Sequence, residues 1–405
     1  MDCGRGGAGL SERRWYIDWY LISAVLFMSV FGLIMVYSAS FVEGYQVYDD
    51  PMHFLKRHLV WLILGGTAFL FMMFFPYRHF KKFILYILAA CLLLLTLVVI
   101  PGVGHTVNGA TRWIAIGGFT LQPSEFVKLG MIIYLAYIYS KKRSYINDFK
   151  QGLAPPLVIV FLVFLLIMLQ PDLGTATAIV MVAGLLAFFT GARYWHLFAL
   201  GSLAGAGLWF YASTEEYRMN RITGFMNAFE LQQTEGFQLV QSYIAIAHGG
   251  LTGAGFGRSV QKLFYLPEAH TDFILAIVSE ELGVLGILAA LGVMAFIICR
   301  GIVIGARCQD DFGSLLAFGI SCQLAVQVVF NGGAVSGVLP ITGIPFPFLS
   351  YGGSSLLITL TALGILANIS RRTEKDRIHR SEKGSQEYNS PEGVSTPRRE
   401  AGISR

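Results

Sequence analysis

Two acids and a histidine crowd the start of one apolar segment of the sequence. Glu268, His270 and Asp272 stand at alternate positions, and the apolar run after them carries two further acids, Glu280 and Glu281. An ionisable side chain in an apolar span is costly to bury, so it is by default a candidate functional residue. A carboxylate half in water and half against an apolar wall can act as a general base once a hydroxyl group docks beside it. We therefore place the candidate chemistry at Asp272.

The alternative role for Asp272 is that of a helix cap, since a carboxylate at a helix start is stabilised by unpaired N–H groups and by the helix dipole. Glu268 shares a face with Asp272 only if the helix begins earlier than residue 272. On a helical wheel Glu280 lies about 80° from Asp272 and Glu281 lies nearly opposite. We therefore expect Glu280 and Glu281 to pair with basic groups inside the protein.

A second set of ionisable residues lies inside other apolar segments. Glu125 and Lys128 are three residues apart on one helix face, which favours a structural ion pair, with gating of a cavity as the alternative. Asp172 follows Pro171 at the start of an apolar segment, where a cap and a site are equally good interpretations.

Four basic residues surround a glycine-rich stretch, 249–257. Arg258 and Lys262 follow it, and Arg218 and Arg221 precede it. The stretch lacks the strand and helix of a dinucleotide site, so a tight turn is the better interpretation. The basic residues predict either binding of an anionic group such as a lipid phosphate or contact with lipid headgroups. We expect no dedicated cofactor site; a divalent cation such as Mg²⁺ or Mn²⁺, held by carboxylates and substrate phosphates, is left open.

The composition is that of an integral membrane protein. Hydrophobic residues make up 55% of the 405 residues and charged residues 14%, against about a quarter charged residues in a soluble domain. The apolar segments recur at helical-span length, which favours helices over a β-barrel. The net charge is +5, and the basic residues lie between the spans, so they indicate topology rather than nucleic-acid binding.

The apolar pattern predicts an all-α polytopic membrane protein with ten transmembrane helices and cytoplasmic N and C termini. The spans are approximately 17–39, 58–75, 83–101, 122–140, 154–170, 173–191, 195–212, 272–298, 312–331 and 354–369. With alternating sides, each dense Lys/Arg cluster falls inside, as the positive-inside rule requires.

The predicted organisation has three parts. Residues 1–16 form a cytoplasmic N-terminal tail, 17–369 the membrane domain and 370–405 a disordered cytoplasmic tail. Within the membrane domain, 213–271 is one large extracytoplasmic loop between spans seven and eight, on the same side as the loops 102–121 and 332–353.

Motifs in nearly every segment resemble those of the SEDS family (shape, elongation, division and sporulation), which includes FtsW, RodA and SpoVE. They are MVYSAS (35–40), NGATRWIAIGGFTLQPSEFVKL (108–129), QPDLGTA (170–176), QSYIAIAHGGLTGAGFG (241–257), QKLFYLPEAHTDFILAIVSEELG (261–283) and GIPFPFLSYGGSSLL (343–357). The likeness covers residues 17–370 in order. MVYSAS and KLFYLPEAH are nearer to FtsW and SpoVE, whereas GIPFPF is nearer to RodA.

The resemblance implies a peptidoglycan glycosyltransferase of the bacterial cytoplasmic membrane. Such a protein polymerises lipid II, and its partners are a class B penicillin-binding transpeptidase and other division or elongation proteins. Asp272 matches the essential outer aspartate of the family, Glu125 and Lys128 match its intramembrane pair, and Trp113 matches its outer-loop tryptophan.

The implied reaction is attack by a sugar 4-hydroxyl group on a donor linked to undecaprenyl diphosphate, with Asp272 as general base. The candidates for substrate binding are Arg112, Trp113, Arg218, Arg221, Arg258, Lys262, Glu268 and His270. Three alternatives stay open: a lipid II flippase or other transporter, a non-catalytic scaffold that recruits a transpeptidase, and a RodA-type elongation polymerase. The ionisable groups concentrate at the predicted outer face, which favours outside chemistry over transport.

Overall fold

The computed structural model describes residues 17–107, 110–213 and 216–388. These ranges contain twelve α-helices and one small sheet. The helices are α1 (Trp19–Tyr48), α2 (His53–Phe74), α3 (Phe80–Val99), α4 (Pro123–Lys142), α5 (Ala154–Met168), α6 (Leu173–Thr190), α7 (Tyr194–Ser213), α8 (Glu216–Met226), α9 (Phe237–Gly249), α10 (Ile274–Arg307), α11 (Asp311–Val335) and α12 (Gly353–Tyr388). The predicted tail 1–16 lies outside the described residues.

Eight helical segments of the described residues are long and apolar enough to cross a membrane. They are α1, α2, α3 with the preceding turn, α5 with the preceding turn, α6, α10, α11 and the first part of α12, with mean hydropathies from 1.5 to 2.7. Helices satisfy every backbone hydrogen bond internally, as a spanning segment must. The chain is therefore a multi-pass helical membrane protein. The predicted fourth and seventh spans correspond to α4 and α7, which are not among these eight.

The centre of the bundle is formed by α11, which packs against α4, α6, α10 and α12. Beside it, α2 and α12 approach so closely that glycine is needed at their contact. A Cβ at Gly65 would lie 2.6 Å from Leu360 Cδ1, and one at Gly364 would lie 2.5 Å from the carbonyl oxygen of Phe69. Small residues allow such close packing of membrane helices.

A three-stranded antiparallel sheet lies between α3 and α4, so the prediction of an all-α fold is wrong for this connection. Its strands are β1 (Gly104–Val107), β2 (Ala110–Ile116) and β3 (Phe119–Leu121), in the order β1–β2–β3. Gly117 and Gly118, with φ of 56° and 83°, form the two-residue turn between β2 and β3. Two positive φ angles are what a tight hairpin turn requires. We call this end of the bundle the sheet end.

The opposite end is fixed by polar contacts between distant segments. Arg300 Nε lies 2.9 Å from Asp18 Oδ2, and Lys81 Nζ lies 2.9 Å from Asp310 Oδ1. From this end α12 continues to Tyr388. Residues 370–388 are therefore helical, which corrects the prediction of a disordered tail for that part; residues 389–405 lie outside the described range.

Candidate active site

Asp272 lies at the sheet end, in the turn that precedes α10. The helix begins at Ile274, so Asp272 stands two residues before it and Phe273 takes the N-cap position. The side chain is half-buried, and its Oδ2 lies 3.6 Å from the place that a Cβ would occupy at Gly343. The carboxylate therefore lies next to Gly343 of the loop 336–352.

His270 is held inside the protein. Its Nδ1 lies 3.1 Å from Oε2 of Glu43, at the end of α1, and its ring packs against Phe54 and Tyr351 at 4.6 and 5.7 Å between centroids. The backbone N–H of Tyr351 donates to the carbonyl of His270, at 2.8 Å. Burial raises the pKa of the Tyr351 phenol, so the hydroxyl group stays protonated. His270 thus has structural partners, and its role in substrate binding stays a prediction.

Glu268 stays at the surface beside Asp272. Its backbone has a φ of 56°, and its Oε2 accepts a hydrogen bond from Thr271 Oγ1 at 2.6 Å. The residue is exposed and precedes α10 by six positions, so it does not share a helical face with Asp272. Glu268 remains accessible to a ligand at the site.

The two acids inside α10 are fully buried and have separate partners. Glu280 accepts hydrogen bonds from the backbone N–H groups of Val260 and Gln261, at 2.9 and 3.3 Å, and from the Ser259 hydroxyl. His248 Nδ1 lies 3.0 Å from Glu280 Oε1. Several donors around one carboxylate compensate its burial. Glu280 therefore holds the segment 259–261 against α10.

Glu281 pairs with Lys262, which corrects the prediction of Lys262 as a surface phosphate ligand. Lys262 Nζ lies 2.7 Å from Glu281 Oε1, and the side chains are 6% and 0% exposed. The Ser38 hydroxyl of α1 donates to Glu281 Oε2 at 2.6 Å. Lys262 is thus buried inside the bundle, where its ammonium group forms an ion pair with the Glu281 carboxylate.

Arg112 fastens the sheet to the connection between α5 and α6. Its Nε donates to the carbonyl oxygen of Gln170 at 3.0 Å, and its Nη2 donates to that of Pro171. Nη1 lies 3.9 Å from Asp172 Oδ1, and Asp172 caps α6 by accepting from Thr175 N at 3.1 Å. Arg112 therefore has protein partners, and its contact with a substrate stays a prediction. Asp172 thus caps α6, and its alternative role in a site stays a prediction.

The other predicted substrate-binding residues lie on separate elements of the fold. Trp113 is half-buried on β2, opposite His105 of β1. Arg258 is exposed at the sheet end. The side chains of Arg218 and Arg221, on α8, lie outside the described residues. Of the four predicted basic residues, Arg258 is the one whose described side chain can meet an anionic group at the surface.

Glu125 and Lys128 form an ion pair within α4, at 2.7 Å, with side chains 3% and 4% exposed. A cavity of about 20 Å³ beside them is also lined by Gln323 and Gln327 of α11. That volume holds about one water molecule. The pair therefore lies in the core between α4 and α11.

In the described part of the chain, no group of three or more His, Cys, Asp or Glu side chains is placed to hold a metal ion. The divalent cation that the sequence left open, Mg²⁺ or Mn²⁺, stays a prediction.

The sequence alone did not reveal Glu43 and Asn331 as residues of the site. Asn331 Nδ2 donates to the carbonyl oxygens of Asp272 and Ile344, at 2.8 and 2.9 Å. Both Glu43 and Asn331 lie near the ends of apolar helices. The cost of burying polar groups in such helices would have marked both residues as candidates. It would not have shown which residues they contact.

Comparison with known proteins gives consistent matches over most of the chain. The family model FTSW_RODA_SPOVE, described as "Cell cycle protein", matches residues 18–375. The probable peptidoglycan glycosyltransferase FtsW of Geobacter metallireducens is 41% identical over 88% of this chain and 95% of its own length. Stage V sporulation protein E of Bacillus subtilis is 45% identical over 87% and 97%.

Solved structures of similar fold cover the same region. A chain of a peptidoglycan synthase complex that coordinates polymerization and crosslinking superposes with a TM-score of 0.72, at 26% identity over 88% of this chain and 98% of that chain. The rod shape determining protein RodA of Thermus thermophilus superposes with a TM-score of 0.65, at 27% identity over 88% and 97%.

Proposed function

Because the chain belongs to the family of FtsW, RodA and SpoVE cell cycle proteins, we propose that it polymerises lipid II into β-1,4-linked glycan strands. It is a peptidoglycan glycosyltransferase, and Asp272 is its general base. The reaction takes place at the outer face of the bacterial cytoplasmic membrane, during cell division or sporulation.

In this reaction the 4-hydroxyl group of the acceptor sugar attacks the anomeric carbon of the donor. The new carbon–oxygen bond forms as the bond to undecaprenyl diphosphate breaks, and the diphosphate leaves with the bonding electrons. The hydroxyl proton passes to the Asp272 carboxylate. A direct displacement that inverts the anomeric centre needs one base and no covalent enzyme intermediate.

The position of Asp272 carries this proposal. A half-buried carboxylate between the apolar start of α10 and the loop 336–352 has both a restricted environment and access for a hydroxyl group. Glu280 and Glu281, in contrast, are enclosed by protein donors. Among the acids of this stretch, Asp272 and the exposed Glu268 are those that a substrate can reach.

The arrangement of charges supports a topology of ten spans, with α4 and α7 included and the sheet end outside. The basic residues of the short connections gather at the opposite end, as the positive-inside rule expects of the cytoplasmic side. They are Arg78, Lys81, Lys82, Lys141, Lys142, Arg143, Arg300, Arg307, Arg371 and Arg372. Trp113, Glu268 and Arg258 then lie on the side of the substrate headgroups.

The proposed partner is a class B penicillin-binding transpeptidase that crosslinks the glycan as it is made. The synthase complex among the structural relatives supports this pairing. Other proteins of the division or elongation machinery, lipid II and the undecaprenyl-linked glycan complete the set of partners. The higher identity to SpoVE and FtsW sequences than to the solved RodA supports the division and sporulation branch.

The test is glycan synthesis from lipid II by the purified protein with its transpeptidase. We expect chains from the wild type, none from Asp272→Asn, and normal synthesis from Asp50→Asn. Asp50 is the matched control because it is an acid of the same end, bonded to Lys56 at 2.8 Å, and this hydrogen bond lowers the pKa of the Asp50 carboxyl. It is ionised in the assay and lies at the surface, in the turn between α1 and α2.

Equal synthesis by Asp272→Asn would remove Asp272 as the base. Transfer of lipid II across liposomes by a wild type that makes no glycan would instead favour the flippase. The buried ion pairs of α4 and α10 argue against that alternative, because each charge has its own partner.

A further inference from the structure

Asn331 joins the segment that carries Asp272 to the loop 336–352. It lies in the last turns of α11 and is 2% exposed. One amide nitrogen donates to two backbone carbonyls, that of Asp272 at 2.8 Å and that of Ile344 at 2.9 Å. Both hydrogens of the amide group are thus used, and each holds a different segment.

The orientation of this amide follows from its surroundings. Two carbonyl oxygens face it, and an amide oxygen in the same place would be repelled by both. The Asn331 Oδ1 atom is buried and has no hydrogen-bond partner among the described residues. The hydrogen bonds that Asn331 makes there are therefore those of its nitrogen, so the residue acts as a double donor.

Asn331 and Tyr351 both hold the backbone around Asp272 from other segments of the chain. Asp272 precedes α10, so its carbonyl lies outside the regular hydrogen bonding of that helix. The neighbouring carbonyl of His270 is held by the Tyr351 N–H at 2.8 Å, again from the far end of the loop 336–352. Asn331 and Tyr351 thus bind the turn at alternate residues, and Asn331 acts on the residue that bears the carboxylate.

We propose that Asn331 is a positioning residue, whose amide fixes the Asp272 backbone against the loop 336–352 and so sets where the Asp272 carboxylate meets the acceptor hydroxyl. The proposal rests on the function proposed above. Asn331 does not touch the substrate; it keeps the carboxylate at a fixed place beside Gly343. Displacement of a catalytic group by about 1 Å can lower a rate by roughly 100-fold.

The chain supplies a matched control in Asn368. It is 0% exposed, its Nδ2 donates to the Met73 carbonyl at 2.7 Å, and its Oδ1 accepts from Tyr77 N at 3.2 Å. It lies at the opposite end of the bundle. Substitution of either asparagine removes a buried hydrogen bond between distant segments, but only Asn331 contacts the residue that carries the proposed base.

The first measurement does not depend on activity. Hydrogen exchange of the full-length protein should show loss of protection at residues 268–273 and 342–346 in Asn331→Ala and Asn331→Asp, and no change there in Asn368→Ala. Asn331→Asp keeps the side-chain volume and removes the two N–H donors. If these variants fold poorly, Asn331→Ser, which keeps one donor, takes their place in the measurement. Unchanged exchange at 268–273 in all Asn331 variants would overturn the proposal.

The second measurement is glycan synthesis at varied lipid II concentration with the transpeptidase present. For Asn331→Ala and Asn331→Asp we expect kcat per folded protein to fall roughly 10- to 100-fold with KM unchanged, and Asn368→Ala to keep the wild-type kcat. A raised KM with normal kcat, or an equal fall in kcat for Asn368→Ala, would contradict positioning. Wild-type protein that makes no glycan would refute the proposed function. The hydrogen-exchange result would still test whether Asn331 holds the Asp272 backbone.

Discussion

Lys262 Nζ lies 2.7 Å from Oε1 of Glu281, and the two residues bracket the segment that includes Asp272. The ion pair closes the backbone from 262 to 281 into a loop, and Ser38 of α1 joins it through Glu281. The glycine-rich stretch before it packs directly on α10, where Gly283 has a φ of 67°. The turn that carries Asp272 is therefore attached to the bundle from both sides.

Loss of one partner of this pair should destabilise the protein strongly. In Lys262→Met the Glu281 carboxylate stays buried without its cation, and breaking such a pair typically costs about 3–5 kcal/mol. Thermal unfolding in detergent should show a clear fall in Tm, while Arg258→Met, at an exposed position of the same segment, should leave Tm unchanged. The double variant Lys262→Met/Glu281→Leu should recover much of the loss. Equal Tm values for Lys262→Met and wild type would show that the pair contributes nothing.

The pair inside α4 should behave as a structural pair in the same way. Glu125→Gln leaves Lys128 buried without its carboxylate, so the yield of folded protein should fall. The protein that does fold should keep its rate of glycan synthesis, because the two charges are buried and paired with each other. The measurements are the monodisperse fraction after purification and the rate per folded molecule. A normal yield combined with lost activity would assign the pair a direct role in the reaction.

Removal of the Arg112 side chain should loosen the sheet. Arg112→Ala loses charge-assisted hydrogen bonds to two carbonyls, each worth about 1.5–3 kcal/mol. Hydrogen exchange should rise in residues 110–121 and 168–173 and stay unchanged at the opposite end. Thr120→Ala, at an exposed position of β3, is the control. An unchanged exchange pattern with a raised KM for lipid II would instead return Arg112 to the substrate site.

Two glycines of α10 should respond in opposite ways to the same substitution. At Gly283 the backbone has φ 67° and ψ −161°, and a Cβ would lie 2.5 Å from Gly253 N. Gly283→Ala should therefore cost at least about 1–3 kcal/mol from backbone strain alone. At Gly292, where a Cβ has open space, Gly292→Ala should be neutral or stabilise the helix slightly. Comparison of the two Tm values checks this, and a similar Tm for both variants would refute the strained kink.

Much of the architecture could be predicted from local sequence. Apolar segments of span length follow directly from the cost of an unpaired backbone in lipid. The pairing of Glu125 with Lys128 could be foreseen because residues three apart meet on any helix. The sheet could have been found too, since Gly117-Gly118 between short β-forming runs is a hairpin signal. The helical residues 370–388 could not, because their charged composition is equally typical of a solvated tail.

By itself the sequence determined where chemistry could occur: an acid at the end of an apolar span is costly, and that cost marks Asp272 whatever its neighbours are. Only the tertiary structure decided which groups surround it. Glu43 meets His270, Asn331 meets Asp272, and Lys262 turns inward to Glu281. These contacts join residues 19 to 227 positions apart, and such pairings depend on how the helices pack, which no local pattern of residues specifies.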